Sequence, residues 1–288
     1  MIEKILIVAK GMAMGAADVV PGVSGGTIAL LTGIYPRLID AITGVNLNSI
    51  KHFFQGKFKQ FWHAIDGNFI LPLLIGIAAA FLILAHPIKH AIEHYPILMW
   101  SFFFGLIIVS AILIIKHIEN KKLNQYFWLI PGLLFGLWVG SLSSIPFPSN
   151  NIAVLIAGML AISAMILPGI SGSFILVLLG MYETLITAVA DRDLMTLLIF
   201  ICGAIIGLMV FSRIIKMVLN KFYNITLFFL SGLMLGSLVK VWPWKSEDLQ
   251  NIMPTNFPEP NTGLAVTMMI AAFILVFTVD YLGRKLTK

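Results

Sequence analysis

Charge is what this chain has least of. Only 11% of its 288 residues are Asp, Glu, Lys or Arg against 59% hydrophobic, and a mean hydropathy of +0.97 excludes a soluble globular protein. Cysteine is as scarce: the lone Cys202 lies in an apolar run, permits no intramolecular disulfide and reads as a packing residue. Histidines His52, His63, His86, His90, His94 and His117 are scattered over loops and helix ends, and no metal-ligand spacing appears. Without a basic-plus-histidine or multi-aspartate constellation, a lipid phosphatase or phosphotransferase is not expected, and neither a cofactor nor a metal is implied. The formal charge of +6 and pI near 9.4 would suggest nucleic acid in a soluble chain; in a membrane chain, excess Lys and Arg collect in cytoplasmic loops.

What the chain does have is long apolar sequence, broken twice in the same way. Runs at about 69–86, 96–116, 126–143, 195–212, 224–240 and 263–282 are each near the ~20 residues that cross ~30 Å of hydrocarbon. Two further apolar regions, 2–42 and 150–190, are interrupted by Pro21-Gly22-Val23-Ser24-Gly25-Gly26 and Pro168-Gly169-Ile170-Ser171-Gly172-Ser173. Proline and paired glycines leave backbone groups without intrahelical partners, which hydrocarbon tolerates only where they are buried in protein or line a cavity. Each region therefore reads as helix, break and second helix. Pro36 should kink or end the first of these second helices, so a re-entrant hairpin is expected there, whereas 172–190 could nearly span. The N-terminal stretch runs straight into the first motif and reads as mature sequence rather than a cleaved signal peptide.

A shift of 147 residues lays Pro21–Ile42 over Pro168–Val189 with 11 of 22 positions identical, and Gly11-Met12 over Gly158-Met159. A second shift of 127 pairs Gly76 with Gly203, Lys89 with Lys216, Gly105 with Gly232 and Ser110 with Ser237. The segment 46–66 supplies the difference of about 20 residues. The expected architecture is an all-α polytopic membrane protein of two repeats in one membrane domain. Residues 1–145 hold hairpin 2–42, an amphipathic helix 46–66 and three spans, and residues 146–288 hold hairpin 150–190 and three spans. An odd number of spans per repeat inverts the second against the first. With a cytoplasmic N-terminus the inner segments carry fifteen Lys and Arg and the outer ones four (Lys89, Arg192, Lys240, Lys245), which places both termini inside. Segment 46–66, with Phe54, Phe58, Phe61, Trp62 and Ile65 at helical spacing among Lys51, Lys57 and Lys59, should lie in the cytoplasmic interface against anionic lipid. Gly-x-x-x-Gly spacings at Gly132/Gly136/Gly140, Gly203/Gly207 and Gly232/Gly236 mark close helix packing.

A break that runs Ser-Gly-(Gly/Ser) into a helix presents backbone N–H groups and a hydroxyl, the donor set for an anion such as phosphate or carboxylate. The candidate binding residues are Pro21, Gly22, Ser24, Gly25, Gly26 and Thr27 with Pro168, Gly169, Ser171, Gly172 and Ser173. Charge-assisted hydrogen bonds contribute about 1.5–3 kcal/mol each, while desolvating an unpaired ion costs several. A dianion would therefore also want a cation, for which Arg37 and Arg213 are the candidates, each of which reads equally as a cytoplasmic anchor. Asp18, three residues before Pro21 in an apolar helix, has Met165 as its repeat partner; it is a candidate site for a coupling proton or cation, or a carboxylate hydrogen-bonded to the broken backbone. Glu183, aligned with Pro36, is a second coupling candidate.

At these residues the sequence resembles a known family. Ala17-Asp18-Val19-Val20-Pro21-Gly22-Val23-Ser24-Gly25-Gly26-Thr27 and Leu167-Pro168-Gly169-Ile170-Ser171-Gly172-Ser173, followed by Gly33-Ile34-Tyr35 and Gly180-Met181-Tyr182, are similar to the motifs of the bacterial polyprenyl-phosphate transporter family PopT, formerly domain of unknown function 368. The resemblance covers nearly the whole chain. It departs at Pro36, where an acidic residue is expected in many members. It implies a translocase in the bacterial cell membrane that returns undecaprenyl phosphate to the cytoplasmic leaflet for cell-wall synthesis, by alternating access with the head between the motif tips and the tail in lipid. A secondary transporter of a small soluble anion is the other reading the donor set allows.

Overall fold

The computed structural model describes residues 2–20, 23–142, 147–148, 150–246 and 250–286. Helix α1 (Ile2–Asp18) ends ahead of Val19-Val20-Pro21, two β-branched residues before a proline, where continued helix is disfavoured. A seven-residue helix α2 (Gly25–Leu31) and a nine-residue helix α3 (Tyr35–Thr43) follow. Between them the N–H groups of Gly33 and Ile34 donate to the carbonyls of Leu30 and Ala29, with Gly33 at φ +72, the glycine-terminated Schellman end of a helix. Pro36 sits in the first turn of α3, where its missing N–H costs nothing. It was expected to end the preceding helix; Gly33 ends it one turn earlier.

The chain continues with α4 (Leu47–Phe54), α5 (Phe58–Ala64), α6 (Gly67–His94), α7 (Pro96–His117), a 3-10 turn (Leu123–Trp128) and α8 (Leu129–Ser141). The expected single helix over 46–66 is thus two, divided at Gly56 with φ +71, which an α-helix does not hold. The second half repeats the order: α9 (Asn151–Ile166), α10 (Gly172–Leu178), α11 (Tyr182–Ala190), α12 (Leu194–Ser237) and α13 (Thr262–Leu286). Gly180 (φ +66) ends α10 with the same pair of hydrogen bonds as Gly33, and α10 and α11 meet at 107°, so 172–190 is not one straight span.

Among the described residues α6, α7, α12 and α13 are long and apolar enough to cross a membrane, and the bent α10–α11 pair would be a fifth if counted as one span. Two of the six expected spans meet end to end and a third takes a different form. The runs at 195–212 and 224–240 are two helices joined across a kink at Phe222 and are labelled together as α12. There Thr226 Oγ1 donates to the Phe222 carbonyl, a side-chain bond of the kind that bends helices. The run at 126–143 is the 13-residue α8 preceded by the 3-10 turn, a helix of about 20 Å.

Helices in lipid associate through close packing rather than hydrophobic burial, and glycine sets how near they come. A Cβ on Gly11 or Gly76 would strike the backbone of Leu73 or Val8, where α1 crosses α6; on Gly158 or Gly203 it would strike Phe200 or Leu155, where α9 crosses α12. Shifts of 147 for α1 and 127 for α6 convert the first set of four residues into the second. The following spans change partners: Gly105 of α7 abuts Met269 of α13, and its repeat partner Gly232 abuts Leu129 of α8. The spacings at Gly132/Gly136 and Gly232/Gly236 lie face to face in that last crossing.

Candidate functional site

The two motifs meet. Ser24 caps α2 with extended backbone, and its Oγ accepts from the Gly26 N–H at 3.1 Å while lying 3.2 and 3.3 Å from the carbonyls of Met165 and Leu167 at the end of α9. In return the Gly169 N–H donates to Thr27 Oγ1 at 3.1 Å. Gly169 has φ +88, and a Cβ there would stand 3.0 Å from Met234 Cα, so only glycine lets the second loop lie on α12. Pro21 and Gly22 lie outside the described residues; Pro168 sits between the Leu167 carbonyl and Gly169 in this junction.

The first three amides of α2 are already engaged. Gly25 N–H donates to Asp18 Oδ1 at 2.7 Å, Gly26 N–H to Ser24 Oγ, and Thr27 N–H to the Ser24 carbonyl at 2.9 Å. Asp18 therefore occupies the position expected for a bound anion. At the other end of α2, the Lys10 ammonium donates to the Thr32 carbonyl at 2.9 Å. Carboxylate at the amide end and ammonium at the carbonyl end both complement the helix dipole, each by about 0.3–1 kcal/mol.

The second motif is built differently. Met165, the repeat partner of Asp18, lies where a Cβ on Gly172 would meet its side chain, and the hydroxyls of Ser171 and Ser173 lie 2.8 Å apart, paired with each other. Ser171 caps no backbone N–H of α10 with its side chain. An anion there would find two hydroxyls and the first amides of α10, with Met165 in the place that the Asp18 carboxylate holds in the first motif.

The two arginines are employed elsewhere. Arg37 pairs with Asp66 (2.6 Å) and Glu3 (3.3 Å) and lies over the Phe69 ring at 4.6 Å, clamping α1, α3 and α6 together. Arg213 donates to the carbonyls of Met209 and Val45, tying α12 to the loop after α3. The polar partners of both guanidiniums lie outside the motifs, the arrangement of an anchor, which is the other role the sequence allowed them. Glu183 is exposed in the first turn of α11. The reading also passed over two lysines: Lys10, and Lys240, whose ammonium stands 4.3 Å from the ring centroid of Phe174, next in sequence to Ser173. The signal for Lys240 was present, since it is one of the four cations that break the inner bias. At the far end of α2 a cavity of about 520 Å³ opens between Leu30, Gly33, Pro36, His117, Glu119 and Tyr223.

A family model described as VCA0040-like, undecaprenyl phosphate translocase-like, matches residues 14–256, a stretch that holds both motifs and their junction. The chain belongs to this family. A polyprenyl-phosphate transporter of Vibrio cholerae serotype O1 is 44% identical over 296 residues, covering 96% of each chain, and one of Staphylococcus aureus is 32% identical over 294 residues, covering 96% of this chain and 94% of its own. No solved structure matches the chain. Membership in the VCA0040-like family agrees with the resemblance carried by the Pro-Gly-x-Ser-Gly strings.

Proposed function

We propose that this chain is a polyprenyl-phosphate translocase of the bacterial cytoplasmic membrane, returning undecaprenyl phosphate to the inner leaflet by alternating access around the junction of its two motifs. The observation that carries the reading is the Ser24–Met165/Leu167 and Thr27–Gly169 junction, which brings two broken helices from different halves to one place. The names of the relatives supply the guest. Within the junction the phosphate head is held by Ser171, Gly172 and Ser173, while Gly169, whose N–H is taken by Thr27, and the described part of the first motif (Ser24, Gly25, Gly26, Thr27) form the opposing wall, with Gly25 donating to Asp18, Gly26 to the Ser24 hydroxyl and Thr27 to the Ser24 carbonyl. Asp18 is then the group through which a proton or cation is coupled, because neutralising it weakens the charge-assisted bond from the Gly25 amide. Glu183, exposed, is given no part in coupling, and Arg37 and Arg213 act as clamps.

The two halves, 1–145 and 146–288, are inverted-topology repeats in one domain. The odd number of spans per half, the fifteen-to-four charge bias, the recurrence of the glycine crossings under the repeat shifts, and the exchange of partners between α7/α13 and α12/α8 all support this. Helix α2 at about 10 Å is too short to cross, and the 107° bend of α10–α11 likewise supports re-entrant hairpins. Helices α4 and α5, with Phe54 and Phe58 exposed beside Lys51, Lys57 and Lys59, lie on the cytoplasmic surface against anionic lipid, termini on the same side.

Purified protein in vesicles should move labelled undecaprenyl phosphate between leaflets, and Ser24→Pro combined with Ser171→Pro should abolish this. A folded protein that moves no lipid, or that takes up inorganic phosphate or a carboxylate without lipid movement, overturns the assignment.

A further inference from the structure

A repeated sequence gives every contact of one half a counterpart in the other, and in this molecule several contacts of the first hairpin have none. Helix α2 packs on α7 and on α9, and α3 packs on α12 of the other half. Under the repeat shifts the counterparts are α10 on the second part of α12, α10 on α1, and α11 on α6. Among the described residues none of these three is packed comparably: α10 lies on α9 and α11, and α11 on α10 and α12 of its own half.

Side chains repeat the difference. On α3, Tyr35 and Ile39 are 0% and 1% exposed, whereas their repeat partners on α11, Tyr182 and Ile186, are 42% and 55% exposed. Flanking Lys216 on α12, Ile215 and Leu219 are buried; the corresponding Ile88 and Ile92 of α6 are only half-buried. Lys216 bridges the halves, its Nζ 2.7 Å from Asp40 Oδ1 and 3.2 Å from Thr43 Oγ1, while Arg213 reaches the Val45 carbonyl at 3.1 Å. Lys89, the repeat partner of Lys216, pairs instead with Glu93 one turn along its own helix at 3.7 Å.

Hydrocarbon tolerates an exposed apolar helix face, so exposure alone decides nothing. The missing contacts, however, all belong to one hairpin. The charge count puts Asp40, Arg213 and Lys216 on the cytoplasmic side and Lys89 and Arg192 on the outer side. The first hairpin is therefore closed where it meets the cytoplasm, and the second stands away from its counterpart surfaces where it meets the exterior. Two copies of one repeat held in two arrangements display the two arrangements open to either copy.

We propose that the protein is in an outward-facing state, with the Lys216 contacts to Asp40 and Thr43 and the Arg213 contact to Val45 as its cytoplasmic gate. The inward-facing state forms when this gate parts and α11 swings onto α6, burying Tyr182 and Ile186 and bringing Thr187, the repeat partner of Asp40, beside Lys89. The inference deepens the translocase reading and rests on it and on the inverted repeats. Lys216 and Asp40 are both partly exposed, and a pair of that kind shifts an equilibrium by no more than about fivefold, weak enough to open in each cycle.

The test uses the full chain with Cys202→Ala, carrying either the inner pair Asp40→Cys and Lys216→Cys or the outer pair Lys89→Cys and Thr187→Cys. A short reducible bis-methanethiosulfonate bridges the cysteines in vesicles, and linked peptides are read by mass spectrometry. Both pairs should bridge, each bridge should slow lipid movement at least tenfold, and reduction should restore it, which shows the protein still folded. Lys216→Gln, added to the outer pair, should speed its bridging roughly twofold to fivefold, whereas Lys216→Arg should leave the rate near that of the outer pair alone. An outer pair that never bridges, a bridging rate indifferent to Lys216→Gln, or full transport with the inner pair bridged overturns the gate. Bridging is read without lipid, so it is decided even where wild-type vesicles move none, the result that sinks the translocase reading instead.

Discussion

In the first hairpin α1 brings a carboxylate, Asp18, to the amide end of α2 and an ammonium, Lys10, to its carbonyl end, whereas in the second the same two positions on α9 are Met165 and Ala157. The backbones match down to the glycine that ends each short helix. The broken-helix geometry thus recurs in both halves, while the charges that close it stand in one. A helix whose amides are satisfied by its own chain holds its place; one whose hydroxyls pair only with each other has donors to give. The difference teaches that two like motifs need not be two like sites, and in the proposed function the first is a wall and the second a seat.

The comparison breaks most decisively at Met165. Met165→Asp should give the second hairpin its own anion and reduce lipid transport by about a hundredfold or more, a like charge at the seat opposing the head group; transport at the wild-type rate in vesicles would show that the phosphate does not sit there. Asp18→Ala leaves the Gly25 amide without its acceptor and should cost about 1.5–3 kcal/mol in a chemical-denaturation series, whereas the equivalent Met165→Ala should cost less through lost packing alone. If Asp18 couples an ion, Asp18→Asn also flattens the pH or sodium dependence of transport; an unchanged profile removes that role.

Smaller effects sharpen the contrast. Burial, and after it the charge of Lys240, lower the Lys245 ammonium from its ordinary 10.5 to about 8. The folded state binds fewer protons than the unfolded one between those values, so stability rises as pH goes from about 8 to 10.5. After allowance for partial exposure the gain is ~1–2 kcal/mol, and Lys245→Met should erase it. Least of all, Lys10→Met removes one ammonium-to-carbonyl contact and should lower stability by about 0.3–1 kcal/mol without changing substrate affinity.

Much of this was legible because it depends on local or periodic features. Apolar run length, the positions of Pro and Gly, the repeat shifts and the glycine spacings each act through backbone geometry within a few residues, and the helices follow them. Boundaries were less legible: whether 195–240 is two helices or one kinked at Phe222 depends on a single bend, and Gly56 divides an amphipathic pattern that periodicity alone would continue.

The opening pair of Pro-Gly-x-Ser-Gly breaks, the duplication and the membrane class were determined by sequence alone, since no soluble packing could cover so apolar a chain and no hydrocarbon would accept two unsupported breaks. Which charges serve the breaks was decided only in three dimensions. A cation's partner is the nearest acceptor in space, not in sequence, so Arg37 went to Asp66 and Glu3, Lys10 to Thr32, and Lys240, 67 residues beyond Ser173, came to rest beside the second motif.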